Sequence, residues 1–184
     1  MLPFRLDNIA TLPDYLFEWF PTVKKMVAVS PCKSGVGYLT VDQKFVKAGE
    51  TPRRSGLHVD GVYLDGPGVW GGGPWGSIKD GMITISDKVG CRAWRGTFEG
   101  WPDSEGGCAH FAHLLGEPTI FEAGQMYWVG GLCIHESLPQ PVDTFRTFVR
   151  LSMPSDAPWF EGYTVNPRVS PTGPIYSRRK FMDA

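Results

Sequence analysis

Short segments rich in β-branched and aromatic residues alternate with turn residues along most of the chain. Its 23 glycines and 16 prolines interrupt this pattern too often for long helices to form. The pattern predicts eight strands, at residues 37–46, 56–64, 82–86, 91–98, 119–121, 125–129, 132–135 and Thr144–Met153. Their number and spacing favour an all-β-dominated fold, and we expect a double-stranded β-helix, or jelly roll.

One small helical element is predicted ahead of the strands. A helix fits residues 14–20, with Pro13 at its opening and Pro21 at its end, while residues 22–29 suit either helix or strand. The 184 residues contain no evident internal repeat or linker. We therefore expect a single domain over residues 1–184.

The composition indicates a folded protein without a general affinity for polyanions. Hydrophobic residues make up 42% of the chain and aromatic residues 13%, which argues against disorder. The formal net charge of −1 does not support binding to nucleic acid or to membrane surfaces, although Arg53 and Arg54 form a short basic stretch. Because no apolar run has membrane-spanning length and no signal sequence is evident, we expect a cytosolic protein.

Two histidines and one aspartate form the most informative motif of the chain. His58 and Asp60 lie two residues apart in "GLHVDG", so a strand would direct both side chains to one face. His135, in "CIHESLP", ends a strand-like run much later in the chain. Two imidazoles and one carboxylate are the ligand set of non-haem Fe(II) oxygenases. The sequence therefore predicts a metal site formed by His58, Asp60 and His135.

Residues 57–153 resemble the Fe(II)/2-oxoglutarate-dependent dioxygenases. The family pattern is H-x-D, a long gap, a second histidine, and then arginine followed two residues later by a hydroxyl residue, matched here by Arg150 and Ser152. The spacing from His135 to Arg150 is similar to that in the TET/JBP nucleobase oxygenases. The resemblance implies Fe(II), 2-oxoglutarate and dioxygen as cofactors and hydroxylation of a C–H bond. It implies no catalytic residue beyond the metal ligands.

The strand that carries the arginines has one polar and one apolar face. Arg146, Arg150 and Ser152 share the polar face of "TFRTFVRLSM". Ordinary patterning would leave this face in solvent, but a cavity that binds a dicarboxylate needs a positive charge inside it. We therefore expect the arginines to point inward, with Arg150 and Ser152 binding the distal carboxylate of 2-oxoglutarate and Arg146 as the rival anchor. Another element, such as the aromatic segment 157–163, would then cover the apolar face.

A glycine-rich loop, residues 65–81, directly follows the H-x-D motif. Its Trp70 and Trp75 either close over a substrate as a gating element or pack back against the sheet. The substrate class stays open between a nucleobase, a peptide side chain and a small metabolite. Nucleic acid as a partner is not supported by the net charge.

Other residues offer alternative interpretations. His110 and His113 are three apart and could replace His135 as a ligand or hold a separate zinc ion. The four cysteines contain no C-x-x-C pair and are expected to be reduced, with Cys133 a minor ligand candidate because it precedes His135 by two residues. A different class of protein also fits: a non-catalytic jelly-roll binding or structural protein whose His/Asp site is accidental or holds zinc.

Overall fold

β-strands dominate the structure, a computed structural model that describes residues 1–60, 81–96, 98–100, 102–103, 106–153, 159–170 and 175–176. The strands are β1 (Leu2–Arg5), β2 (Val36–Val46), β3 (Gly81–Ser86), β4 (Cys91–Ala93), β5 (Thr119–Ile120), β6 (Tyr127–Gly130), β7 (His135–Ser137), β8 (Thr144–Met153), β9 (Trp159–Phe160) and β10 (Ile175–Tyr176). The helical segments are an α-helix, α1 (Phe20–Val29), and three short 3₁₀ segments, Ile9–Thr11, Asp14–Trp19 and Ala109–Leu114.

Two antiparallel sheets form the body of the molecule. The larger sheet has the strand order β1-β2-β8-β3-β6, and the smaller one has the order β5-β4-β7. β8 lies in the middle of the larger sheet, where Leu151 is opposite Leu39 of β2 on one side and Ile83 of β3 on the other. His58 adds single antiparallel bridges to His135 of β7 and to Gly107. A parallel pair, β9 and β10, forms a third, separate sheet.

The N-terminal segment supplies the edge strand β1 of the larger sheet and a helix that packs against this sheet. The predicted helix over 14–20 is a 3₁₀ segment, and the α-helix begins at Phe20 rather than ending at Pro21. Proline lacks only an amide hydrogen that the first helical turn leaves unbonded, so Pro21 starts α1 instead of stopping it. The resumption as a helix over 22–29, one of two alternatives, is confirmed. β1 lay outside the eight predicted strands.

The main hydrophobic core lies between β8 and the N-terminal segment. Val149, Leu151 and Met153 of β8 are buried there against Phe4 and Met26. Successive side chains of a strand point to opposite faces, so Arg146, Phe148 and Arg150 point to the other side of the sheet. The inward orientation of the arginines, which the ordinary pattern argued against, is therefore what the structure shows. Among the described residues, the N-terminal segment provides the cover that was expected from residues 157–163.

A second hydrophobic core supports the smaller sheet. Val59, Trp94, Cys108, Phe111 and Ile134 are all buried in it. The indole Nε1 of Trp94 donates a hydrogen bond of 2.9 Å to the carbonyl of Gly116, so the polar group of this buried side chain has a partner. This core lies on the side of the sheet that faces away from the predicted metal ligands.

The predicted strands are confirmed to different extents, and the strand predicted over 91–98 is observed only as β4, Cys91–Ala93. β2, β3 and β8 match their predicted ranges to within one residue, and β8 spans the whole of Thr144–Met153. The predicted strand 132–135 is shifted, because a turn occupies residues 131–132 and β7 begins at His135. Of the strand predicted over 56–64, the described residues retain the bridge at His58, and residues 61–64 lie outside the described part of the chain. Trp70 and Trp75 also lie outside it.

No helix within the described ranges is long and apolar enough to cross a membrane.

Candidate metal centre and its cavity

His58, Asp60 and His135 form one cluster of metal-ligand side chains. Their ligand atoms all lie within 4.8 Å of one another. The Nε2 atom of His135 is 3.7 Å from Oδ2 of Asp60, and the ring centroids of the two histidines are 4.4 Å apart. Such a group can hold one metal ion on three neighbouring positions and leave the remaining positions open to other ligands.

Strand alternation places the three side chains on the same side. Val59, between His58 and Asp60, is 3% exposed in the second core, and Ile134, next to His135, is 2% exposed there. The two histidine backbones also bond each other, since the amide of each donates to the carbonyl of the other at 2.9–3.0 Å. Burial of the neighbouring residues therefore turns both imidazoles and the carboxylate toward the cavity.

Backbone carbonyls orient both imidazole rings. Nδ1 of His58 lies 2.7 Å from the carbonyl of Gly56, and Nδ1 of His135 lies 2.9 Å from the carbonyl of Cys133. Because a carbonyl only accepts, each Nδ1 carries the hydrogen and donates it. The lone pair of each ring is then on Nε2, which is the arrangement of a metal-binding histidine.

The electrostatics favour the protonation states that bind metals. Burial lowers the pKa of the His58 imidazole, and the neighbouring His135 lowers it further. Burial by itself would raise the pKa of the Asp60 carboxyl, but His135 and Arg150 outweigh it and hold this pKa below its ordinary value. A neutral imidazole and an ionised carboxylate are therefore present together at neutral pH.

The cluster lies in a cavity of about 530 Å³ between the two sheets. The volume is that of typical small-molecule sites. Thr84 and Ser86 of β3 line it from the larger sheet, and Cys91 of β4 and Ser137 of β7 line it from the smaller one. Two arginines of β8, Arg146 and Arg150, contribute to the same wall.

Arg150 lies beside the cluster of candidate metal ligands. Its Nη1 donates to Oδ2 of Asp60 at 3.4 Å, its Nη2 is 3.5 Å from Sδ of Met1, and its Nε is buried without a hydrogen-bond partner among the described residues. Only 5% of the residue is exposed. Burial lowers the pKa of its guanidinium, and Asp60 opposes that shift. Arg150 is thus a buried cation that already contacts one of the candidate metal ligands.

Arg146 lies four residues before Arg150 on the same face of β8, roughly 13 Å along the strand. Its Nε donates to Oγ of Ser86 at 3.0 Å, while its Nη1 is buried and lacks a partner in the described part of the chain. Gly90 packs close to its Nε, and Gly90 precedes Cys91, the residue opposite Ser137. Ser137 lies two residues beyond His135, which corresponds to roughly 7 Å along the strand. Arg146 therefore lies at the part of the cavity wall near Ser137.

The remaining candidate residues lie apart from this arrangement. Ser152 shares the face of Arg150 and is buried, but it is not among the described residues that line the cavity. His110 and His113 are exposed on the 3₁₀ segment Ala109–Leu114 and are not part of the metal-ligand cluster. The thiol of Cys133 contacts the carbonyl of Trp94 at 3.7 Å, and Cys133 lies between the turn at 131–132 and β7.

Ser86 and Arg53 are cavity residues that the sequence analysis did not single out as site residues. The position of Ser86 was open to prediction, because it follows Met82 and Thr84 at alternate positions of a predicted strand. Arg53 was noted only as part of a basic stretch, and its place against the ring of Phe148 follows from the tertiary fold.

No family model matches the chain, and neither a curated protein nor a solved structure matches it. Its function is therefore inferred from the geometry and chemistry of the cavity.

Proposed function

We propose that the protein is an Fe(II)- and 2-oxoglutarate-dependent dioxygenase that hydroxylates a C–H bond of an organic substrate. The observation that carries this proposal is the convergence of His58, Asp60 and His135 within 4.8 Å in a cavity that also holds two buried arginines. Two imidazoles and one carboxylate suit Fe(II) with open coordination positions. Buried guanidinium nitrogens without partners suit an anionic cosubstrate, since an uncompensated buried charge is costly.

The strand order supports a double-stranded β-helix as the architecture. Counted from β2, with the segment of His58 as the second strand, the first, eighth, third and sixth strands form the larger sheet in that order. The second, seventh, fourth and fifth form the smaller one. Such an exchange of strands between two antiparallel sheets is typical of an eight-stranded jelly roll.

In this proposal Arg146, rather than Arg150, anchors the distal carboxylate of 2-oxoglutarate. Arg150 is engaged by Asp60, whereas Arg146 presents a buried, unpartnered Nη1 and is fixed through Nε by Ser86. A planar guanidinium held in this way binds a carboxylate through two parallel hydrogen bonds. Arg146 lies farther along β8 from Asp60 than Arg150 does, which suits a five-carbon dicarboxylate whose keto-acid end lies at the metal.

The residues of the chain bind and orient, and they need not transfer protons. When bound, the metal and 2-oxoglutarate together supply oxidative decarboxylation to succinate and CO₂ and the oxidising power for C–H hydroxylation. His58 and His135 offer Nε2, and Asp60 offers a carboxylate oxygen. Arg150 donates to Oδ2 of Asp60 and so restrains the carboxylate, which preorganises the ligand geometry.

The alternative is a zinc-holding protein without redox chemistry. Zinc accepts the same histidine and carboxylate ligands, so the cluster by itself does not separate the two metals. The two buried arginines favour the oxygenase, because a structural zinc site is complete with its protein ligands and does not require buried cations that bind an anion.

The proposal is tested by metal analysis followed by assay of succinate release. Protein reconstituted with Fe(II) under reducing conditions is expected to convert 2-oxoglutarate to succinate even without a substrate, at a slow uncoupled rate. His135→Ala should abolish this release and the bound iron, whereas His113→Ala, a matched change at an exposed histidine, should retain both. Tight zinc binding with no 2-oxoglutarate binding would favour the alternative.

A further inference from the structure

We propose that the cavity contains a second anion subsite, formed by Lys44 and Arg53, and that the substrate is a small organic anion. The subsite is separate from the guanidinium that anchors the cosubstrate. This inference rests on the proposed function for the identity of the ligand as a substrate. The anion-binding chemistry itself follows from the charges of the cavity.

The cavity is strongly cationic, although the chain as a whole is not. Basic side chains outnumber acidic ones by six to two along its described wall, while the formal net charge of the chain is −1. The six are Lys44, Arg53, Arg54, Lys88, Arg146 and Arg150, and the two are Asp60 and Glu122. Asp42 and Asp87, outside this wall, pair with Lys44, Arg53 and Lys88 and reduce the excess of positive charge from four to two, and a cosubstrate dianion would offset a divalent metal. A second anion in the cavity would balance the remaining excess.

Like charges are brought together at one place in the sheet. Lys44 of β2 is directly opposite Arg146 of β8, an arrangement that destabilises an antiparallel pair. The guanidinium groups of Arg53 and Arg146 both lie over the ring of Phe148, at 4.9 Å and 4.7 Å from its centroid. Burial and the charge of Arg53 lower the pKa of Arg146. Two guanidinium groups thus lie over one aromatic ring, and Lys44 is directly opposite one of them in the sheet.

A single carboxylate serves two of these three cations. Oδ2 of Asp42 is 3.5 Å from Nζ of Lys44 and 3.6 Å from Nη1 of Arg53. Both contacts are long for ion pairs, and one oxygen accepts both. Arg146, 2% exposed and with Nη1 unpartnered among the described residues, has no carboxylate at salt-bridge distance there. With Arg146 taken by the proposed cosubstrate, Lys44 and Arg53 remain side by side, sharing one carboxylate oxygen, as donors to an incoming phosphate or carboxylate.

The opposite end of the cavity is aromatic and apolar. Phe121 and Tyr127 stack at 4.1 Å between ring centroids with an interplanar angle of 3°, and both line the cavity. Met82 and Val129 continue this wall. A ligand that fits both ends therefore carries an anionic group and a planar or apolar body. The cavity has the volume of a small-molecule site, about 530 Å³, which favours a small anion over a nucleic acid.

Binding of phenyl phosphate tests the proposal without any turnover. Isothermal titration calorimetry is expected to show that phenyl phosphate and benzoate bind the wild-type protein, whereas benzyl alcohol, of similar shape but neutral, does not. Lys44→Gln combined with Arg53→Gln should weaken phenyl phosphate binding by about tenfold or more, because a charge-assisted hydrogen bond is roughly twice as strong as a neutral one. Lys24→Gln combined with Lys25→Gln removes the same charge from the exposed face of α1 and should leave the affinity unchanged.

Additional controls test whether the variants are misfolded and whether the probe occupies the cosubstrate site. Arg53→Lys keeps the charge and should retain most of the affinity, which shows that loss in the double variant is not a loss of fold. Saturating 2-oxoglutarate with Mn(II), which does not support turnover, should leave phenyl phosphate bound. Equal weakening in both double variants, displacement by 2-oxoglutarate, or preference for a single-stranded oligonucleotide would each overturn the proposal. Binding of the probe without any succinate release from the Fe(II) protein would support the subsite and contradict the oxygenase.

Discussion

The contacts of single residues distinguish the two buried arginines that are candidates for binding the proposed cosubstrate. The period of two along a strand predicted that Arg146 and Arg150 share a face, and it could not say how far each lies from the candidate metal ligands. In the structure Arg150 contacts Asp60, and Arg146, four residues earlier in β8, contacts Ser86. These different contacts arise from the pairing of β8 with its neighbours, which is a tertiary property.

Substitution of each arginine by lysine should therefore give different losses. Arg146→Lys is expected to weaken 2-oxoglutarate binding by about thirtyfold or more, since lysine cannot replace a bidentate guanidinium and such pairs contribute roughly 2–5 kcal/mol. Arg150→Lys should mainly weaken metal binding, because it frees the carboxylate of Asp60. Titration calorimetry with Mn(II) and then with 2-oxoglutarate separates the two effects. The assignment returns to Arg150 if only Arg150→Lys loses 2-oxoglutarate.

The thiol of Cys108 should be unreactive in the folded protein. It is fully buried, and burial, with a contribution from Asp103, raises its pKa to about 11. The thiolate is the reactive form, so alkylation by iodoacetamide at pH 8 should be at least about a hundredfold slower than in guanidinium-unfolded protein. Peptide mass spectrometry over time measures both rates. Equal rates would mean that the second core opens readily.

At the scale of elements, the observed length of a strand governed how well the sequence located it. β2 and β8 carry enough alternating residues for the period of two to fix both ends, whereas β4, β5 and β7 are two or three residues long. Such short strands are defined by their partners across the sheet rather than by their own residues. β1 was missed for the same reason, since its four residues form a strand only against β2.

The two faces of β8 should differ in their contribution to stability. Leu151 is fully buried in the main core, so Leu151→Ala is expected to lower the free energy of unfolding by about 2–5 kcal/mol. Phe145→Ala, in the same strand but at a residue that is 57% exposed, should change it by less than about 1 kcal/mol. Urea denaturation followed by circular dichroism measures both values. A similar loss for the two variants would show that the outer end of β8 is covered in solution.

At the scale of the whole molecule, two cores on opposite sides leave the cavity, with its candidate metal ligands and arginines, between them. The main core buries the apolar face of β8, and the second core buries Val59 and Ile134 behind the candidate metal ligands. Alternation predicted the sheet-dominated class and the shared face of His58 and Asp60, and the motif order predicted that His135 joins them in a group that could hold a metal ion. It did not predict the concentration of positive charge, because Lys44, Arg53 and Arg146 come from separate segments that only the fold brings together.

The candidate metal ligands come from segments that are far apart in sequence, so metal binding should stabilise the whole domain. His58 and Asp60 lie before the described strand β3, and His135 begins β7, more than seventy residues later. An ion that binds this arrangement but not the unfolded chain adds about 2.7 kcal/mol of stability at a hundredfold excess over its Kd. For a chain of this length that corresponds to a rise of roughly 5–10 °C in Tm.

Differential scanning calorimetry with and without Mn(II) measures this rise, and the comparison is made within each variant. Asp60→Ala leaves Arg150 without its carboxylate and should lower the Tm of the metal-free protein, but the decisive value is the shift on adding metal, which should vanish. His113→Ala, outside the cluster, should keep the full shift. Asp60 is one of the three candidate ligands. A shift that persisted in Asp60→Ala would therefore place the metal elsewhere and remove the basis of the proposed chemistry.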